Sequence, residues 1–165
     1  VRVENNAQLA IAPYYYFTAS IYRGECTSSR VALMTAKSSD TSLYFAKING
    51  EQVWKLVENY LDHTEDEFSI TNKYELPILS GMKITVQKEE NGFLLKDIAV
   101  DQEKIDKEKE YSILLTDATR SILEKTTPGC RIEQLPDMTL SSAWTAFMDK
   151  GQQPLAPQDY IEVKK

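Results

Sequence analysis

The sequence predicts an α+β domain, a mixed β-sheet with packed helices. Helix and strand periods are interspersed without regular βαβ repeats, Asn-Gly hairpin signals separate some of the strands, and apolar runs span the whole chain. The 165 residues are 42% hydrophobic, enough for one core, so residues 1–165 are expected to form a single domain. No internal repeat or low-complexity linker divides them.

Leu9-Ala10-Ile11-Ala12 is short, apolar and stopped by Pro13, as in a buried strand that ends in a loop. Thr27-Ser28-Ser29 are suited to cap a helix through Arg30-Val31-Ala32-Leu33-Met34. Leu43 to Ile48 is a strand, which the turn pair Asn49-Gly50 is expected to close. Val53, Leu56, Val57, Tyr60 and Leu61 then recur at the spacing of a helix that buries one face, about residues 51–62.

Met82, Ile84 and Val86 alternate with polar residues, the period of a strand with one wet face. Asn91-Gly92 turns that strand into Phe93-Leu94-Leu95. Residues 101–110 are dense in charge and hold one apolar residue, Ile105, which predicts a solvated connection or exposed hairpin end. Tyr111 to Leu115 returns as a strand and Arg120 to Lys125 as a short helix. A last amphipathic helix carries Leu140, Ala143, Trp144, Phe147 and Met148 on one side and stops at Lys150-Gly151.

Composition narrows the function. A net charge of −6 and a pI near 4.9 repel phosphate backbones and anionic membranes, so nucleic-acid polymers and lipid surfaces are poor partners. No apolar stretch reaches the length of a membrane span. His63 is the one histidine, and CxxC, HExxH, EF-hand, Gly-x-Ser-x-Gly and glycine-rich phosphate-cradling motifs are absent. The 25 acidic residues offer many carboxylate pairs, yet no spacing singles one out. This chain alone is not expected to be an enzyme, and no cofactor is assigned to it. Cys26 and Cys130 leave two readings open, a disulfide or two separate thiols.

Recognition features remain. Tyr14, Tyr15, Tyr16 and Phe17 lie just past a strand end, where the crevices of open sheets form. Their rings suit core packing or stacking on a flat ligand. Arg23 and Arg30 could meet a phosphate or serve as surface charge.

The order of these pieces resembles the C-terminal domain of the 5′-nucleotidase, UDP-sugar hydrolase and cyclic-nucleotide phosphodiesterase family. Asn49-Gly50-Glu51-Gln52-Val53-Trp54-Lys55-Leu56-Val57-Glu58 is similar to the family segment Thr-Gly-x-x-Leu-x-x-x-Leu-Glu. Ser80-Gly81-Met82-Lys83-Ile84 resembles its Ser-Gly-Leu-x-Phe strand, and Tyr111 to Asp117 its Tyr-x-Val-x-Thr-Asn-Asp strand. Trp144 to Gly151 followed by Leu155-Ala156-Pro157 resembles its terminal helix and exit.

The resemblance implies that any hydrolysis is done by divalent metals in a separate N-terminal domain, while this domain supplies substrate specificity. The ligand would be a nucleotide or a related small molecule, and the preceding catalytic domain the natural partner. In the family two aromatic rings sandwich the base and arginines hold the phosphate. Asp117, at the end of the Thr-Asn-Asp-like strand, and Arg120 just after it join Tyr14 to Phe17, Arg23 and Arg30 as candidate ligand residues. Both ends of the chain look like cuts, so a longer bacterial parent is expected, in an extracellular, periplasmic or cell-surface setting.

The departures are specific. The family's Asn-x-Gly-Gly-Ile-Arg loop is replaced by Pro13-Tyr14-Tyr15-Tyr16-Phe17. Its Pro-Phe-Gly-Asn loop falls on Lys37 to Thr41, its second stacking ring near Ala118, and its Gly-Gly-Asp-Gly has no counterpart beside Arg120-Ser121. Either the pocket is rebuilt around the tyrosine run, or the fold persists as a binding or scaffold module without nucleotide binding.

Overall fold

A computed structural model describes residues 5–16, 41–62, 76–90, 92–149 and 161–164. Its strands are β1 (Leu9–Ala12), β2 (Ser42–Asn49), β3 (Ile78–Ser80), β4 (Lys83–Glu89), β5 (Gly92–Val100), β6 (Glu103–Lys104), β7 (Glu110–Thr116), β8 (Ile132–Thr139) and β9 (Ile161–Lys164). The helices are α1 (Gly50–Leu61), α2 (Asp117–Thr126) and α3 (Leu140–Asp149), and Tyr14–Tyr16 form one 3-10 turn. A five-stranded sheet has the order β3-β1-β7-β2-β8 and a four-stranded sheet the order β6-β5-β4-β9. Both are mixed: β1 runs parallel to β7 and β4 parallel to β9, and the other pairs are antiparallel. The α+β expectation holds, with two sheets instead of one.

The period of two sorts the strand residues onto two faces. Leu9, Ile11, Ala46, Ile48, Ile113 and Leu115 from the five-stranded sheet meet Ile84, Val86, Leu95 and Ile98 from the other, together with the buried faces of α1 and α2. The intervening residues Leu43 and Leu114 face the opposite way and pack with Tyr16, Leu140 and Ala143, so α3 covers the other side of the five-stranded sheet.

Helix α1 matches its periodicity over nearly its whole length, but its start differs. Asn49 ends β2 and caps α1 in a reciprocal box with Gln52, and Gly50 is the first helical residue, so the pair opens the helix and makes no hairpin. Glycine is required there by close packing, since a Cβ would run into the main chain of Asp106. The charged stretch forms a hairpin with β6, whose turn residues Asp101 and Gln102 both have positive φ, and Ile105 anchors it in the core at 4% exposure. Helix α2 starts three residues earlier than the periodicity suggests. Strands β3, β8 and β9 carry no strong alternation and do not stand out in the sequence; β8 holds Pro136, and its pairing with β2 slips by a bulge between Ser42 and Tyr44. The helix expected after Thr27-Ser28-Ser29 lies outside the described residues.

Candidate functional site

Strand directions decide which segments share an end of the five-stranded sheet. Parallel β1 and β7 finish side by side, with Ile11 opposite Leu115. Antiparallel β2 begins there, Leu43 facing Thr116, and β8 finishes there, Thr139 facing Ser42. Five chain segments therefore meet at this end: the one leaving Ala12, the one entering Ser42, the one entering Ile78, the start of α2 and the start of α3.

Thr119 ties the junction together. Its hydroxyl oxygen accepts from the Thr116 N–H at 2.9 Å and lies 3.3 Å from the Ile11 carbonyl oxygen, linking α2 to the ends of β7 and β1. The side chain is fully buried.

Asp117, the first residue of α2, is gripped on both carboxylate oxygens. The Tyr44 hydroxyl donates to Oδ1 at 2.7 Å and the Ser42 N–H to Oδ2 at 3.1 Å. A carboxylate here also sits favourably at the positive end of the helix dipole. Arg120, one turn on, lays its guanidinium 4.9 Å from the Tyr44 ring centroid and gives Nη1 to Glu124 at 2.8 Å. Its Nε is buried without a hydrogen-bond partner, although 31% of the side chain is exposed. Gln134 of β8 donates to the Ser42 hydroxyl at 3.2 Å. The hydrogen bond to Asp117 is the main reason the Tyr44 phenol titrates above its ordinary 10.0, helped by burial and the Asp117 charge and opposed by Arg120. The result is a fixed carboxylate beside a flat cation, able to accept from and donate to a polar ligand.

The sequence candidates fall into three groups. Asp117 and Arg120 are brought together, with Tyr44 between them. Tyr14, Tyr15 and Tyr16 form the turn after β1 at the same end of the sheet; Tyr14 is half-buried, while Tyr16 is 9% exposed and packs with Leu43, Leu114 and Leu140. Phe17, Arg23, Arg30 and Cys26 lie outside the described residues. Cys130 is a half-buried free thiol, and burial pushes its pKa up. Sequence reasoning missed Ser42, Tyr44, Thr119 and Gln134. Tyr44 shows only the alternation of its strand, and nothing in its spacing points to a partner 73 residues away. Among the described residues no three His, Cys, Asp or Glu side chains converge as a metal site, and no helix is long and apolar enough to cross a membrane.

Two mixed sheets sharing a helix-filled core, with a polar cluster where parallel strands end, define the class: a two-sheet α+β domain. The chain belongs to the 5′-nucleotidase C-terminal domain family, whose model matches residues 1–121, well over half of it. Among solved structures it is similar to a 5′-nucleotidase precursor from Thermus thermophilus, with a TM-score of 0.76 and 14% identity over 98% of this chain and 32% of that one. It is similar to the NAD nucleotidase of Haemophilus influenzae, with a TM-score of 0.72 and 16% identity over 95% of this chain and 30% of that one. A sulfate thiohydrolase, also from Thermus thermophilus, shares the fold at a TM-score of 0.68 and 12% identity, over 98% of this chain and 29% of that one. The chain thus spans about a third of the length of these structures. No curated protein sequence matches it. The residues beside the expected Gly-Gly-Asp-Gly position, Arg120-Ser121, lie inside α2 and not in a glycine-rich loop.

Proposed function

We propose that this domain recognises a nucleotide or related small molecule at the β1/β7 end of its five-stranded sheet, for a metal-dependent hydrolase domain of the same parent protein. The observation that carries the reading is the Asp117–Tyr44–Arg120 cluster, joined by a hydrogen bond and a cation–ring contact at the end where parallel strands finish and the tyrosine turn follows β1. Asp117 keeps unused lone pairs for a ribose hydroxyl or base N–H, Arg120 keeps an Nη2 for a phosphate oxygen, and Tyr14 supplies a ring. Divalent metals are assigned to the catalytic domain and not to this one. The nucleotidase names of the two structural relatives support this choice of ligand class, and an extracellular or periplasmic location goes with it.

A second reading, a scaffold module without nucleotide binding, rests on a specific observation. Asp117 and Arg120 already have partners within the domain, and the stacking rings of the family motifs are replaced.

Thermal unfolding against nucleosides, nucleotides and nucleotide sugars separates the two. A ligand at about 100 times its Kd adds about 2.7 kcal/mol, a rise of several degrees for a domain of this size. Under the first reading one ligand class raises Tm, and Tyr14→Ala or Arg120→Ala removes the rise. Under the second no ligand moves Tm in folded protein.

A further inference from the structure

The chain contains two Asn-Gly pairs, Asn49-Gly50 and Asn91-Gly92. Asn-Gly is the dipeptide most prone to deamidation, because glycine leaves its amide nitrogen open to attack the preceding side chain. In that reaction the Gly nitrogen loses its proton to solvent base and bonds to the Asn Cγ. The Cγ–Nδ2 bond breaks, ammonia leaves with a proton from water, and a succinimide remains. Water then opens the ring at either carbonyl, giving aspartate or isoaspartate.

At Asn49-Gly50 each reacting group is held away from that path. The Asn49 Oδ1 accepts from the Gln52 N–H at 2.9 Å, and the Asn49 N–H donates to the Gln52 Oε1 at 2.8 Å. The nucleophile is occupied as well, since the Gly50 N–H donates to the Lys109 carbonyl at 3.0 Å and the next amide, Glu51, donates to the Lys107 carbonyl at 3.1 Å. Gly50 is buried beneath the main chain of Asp106, and Ile105 anchors this covering segment in the core. Asn49 has φ −79° and ψ 167°, fixed by its place at the end of β2 opposite Glu110.

We infer that Asn49 is a latent deamidation site, gated by opening of segment 105–109 over the start of α1. Closure to the succinimide requires the capping box and the Gly50 and Glu51 hydrogen bonds to break together. The gate works in one direction. Isoaspartate inserts a methylene into the main chain at the β2–α1 junction, so the box and the Asn49–Glu110 register cannot re-form together. A transient opening is thereby recorded as permanent loosening of the junction.

The test is peptide mapping of the whole domain after incubation at mildly alkaline pH, native and in urea, with Asn91 as a second site in the same molecule. Asn49 should convert in native protein at least about 100-fold more slowly than in urea, equivalent to roughly 2.8 kcal/mol of local opening. In urea Asn49 and Asn91 should convert at similar rates. Gln52→Ala removes half of the box and should speed Asn49 several-fold in native protein without changing its rate in urea. Native conversion of Asn49 at its urea rate would overturn the inference, and wild-type protein alone decides this even if the variant fails to fold. An unchanged native Asn49 rate in folded Gln52→Ala protein would overturn the role given to the cap.

Discussion

The core between the sheets and the polar end of the five-stranded sheet are built from the same strands under different rules. In the core, identity matters little beyond size and apolarity: Ile48, Val53, Leu56, Ile98 and Leu115 are placed by periods of 2 and 3.6, and each fills space against several others. At the sheet end a few groups are specified atom by atom. Asp117 is held in place by Tyr44 and Ser42, more than seventy residues earlier, which present donors to its two oxygens. The core stabilises through many interchangeable contacts and the end through a few irreplaceable ones, so the two should respond differently to mutation.

The largest expected effect is in the core. Leu56 is completely buried on the inward face of α1, so Leu56→Ala should cost about 2–5 kcal/mol in denaturant unfolding. A loss below about 1 kcal/mol would mean that α1 is not packed between the sheets. Next comes the polar end. Asp117→Ala strands the Tyr44 hydroxyl and the Ser42 N–H and should cost about 1–2 kcal/mol, tempered by partial exposure. Tyr44→Phe should cost less, and a double-mutant cycle should find the two effects strongly non-additive. Additive effects would dissolve the cluster into independent surface groups.

A subtler difference concerns pH. Tyr44 holds its proton more tightly folded than unfolded, so its contribution to stability is complete below pH 10.0 and fades as pH rises through the higher folded value. In NMR titrations of ring-labelled tyrosine, Asp117→Ala should lower the Tyr44 midpoint toward the ordinary phenol value. A midpoint that stays put would show that Asp117 does not hold the phenol. The smallest effect is at the exposed Lys83–Glu162 pair between β4 and β9, where Glu162→Gln should leave Tm unchanged within error.

The same contrast explains what the sequence made legible. Helix α1 and strands β1, β2, β4, β5 and β7 bury one face or both, and burial writes a period into the chain. Strand β8 is an edge with Pro136, a bulge and no buried residue, β3 has three residues and β9 four, so no period marks them. Asn49-Gly50 has the local signature of a hairpin, and what overrides it is the covering segment 105–109, invisible to local reading. At the candidate site Asp117 and Arg120 were found through family resemblance. Tyr44, Ser42 and Gln134 were not, because a hydrogen bond between distant strands leaves no spacing to read.

The central claim is that the β1/β7 end is the recognition surface. Backbone amide NMR of the isotopically labelled domain, titrated with a nucleoside monophosphate, tests it most directly. Saturable shifts concentrated at Tyr14, Ser42, Tyr44 and Asp117 to Arg120 are expected, with β4, β5 and β9 unmoved. Shifts centred on the four-stranded sheet, or none at millimolar ligand, would contradict it.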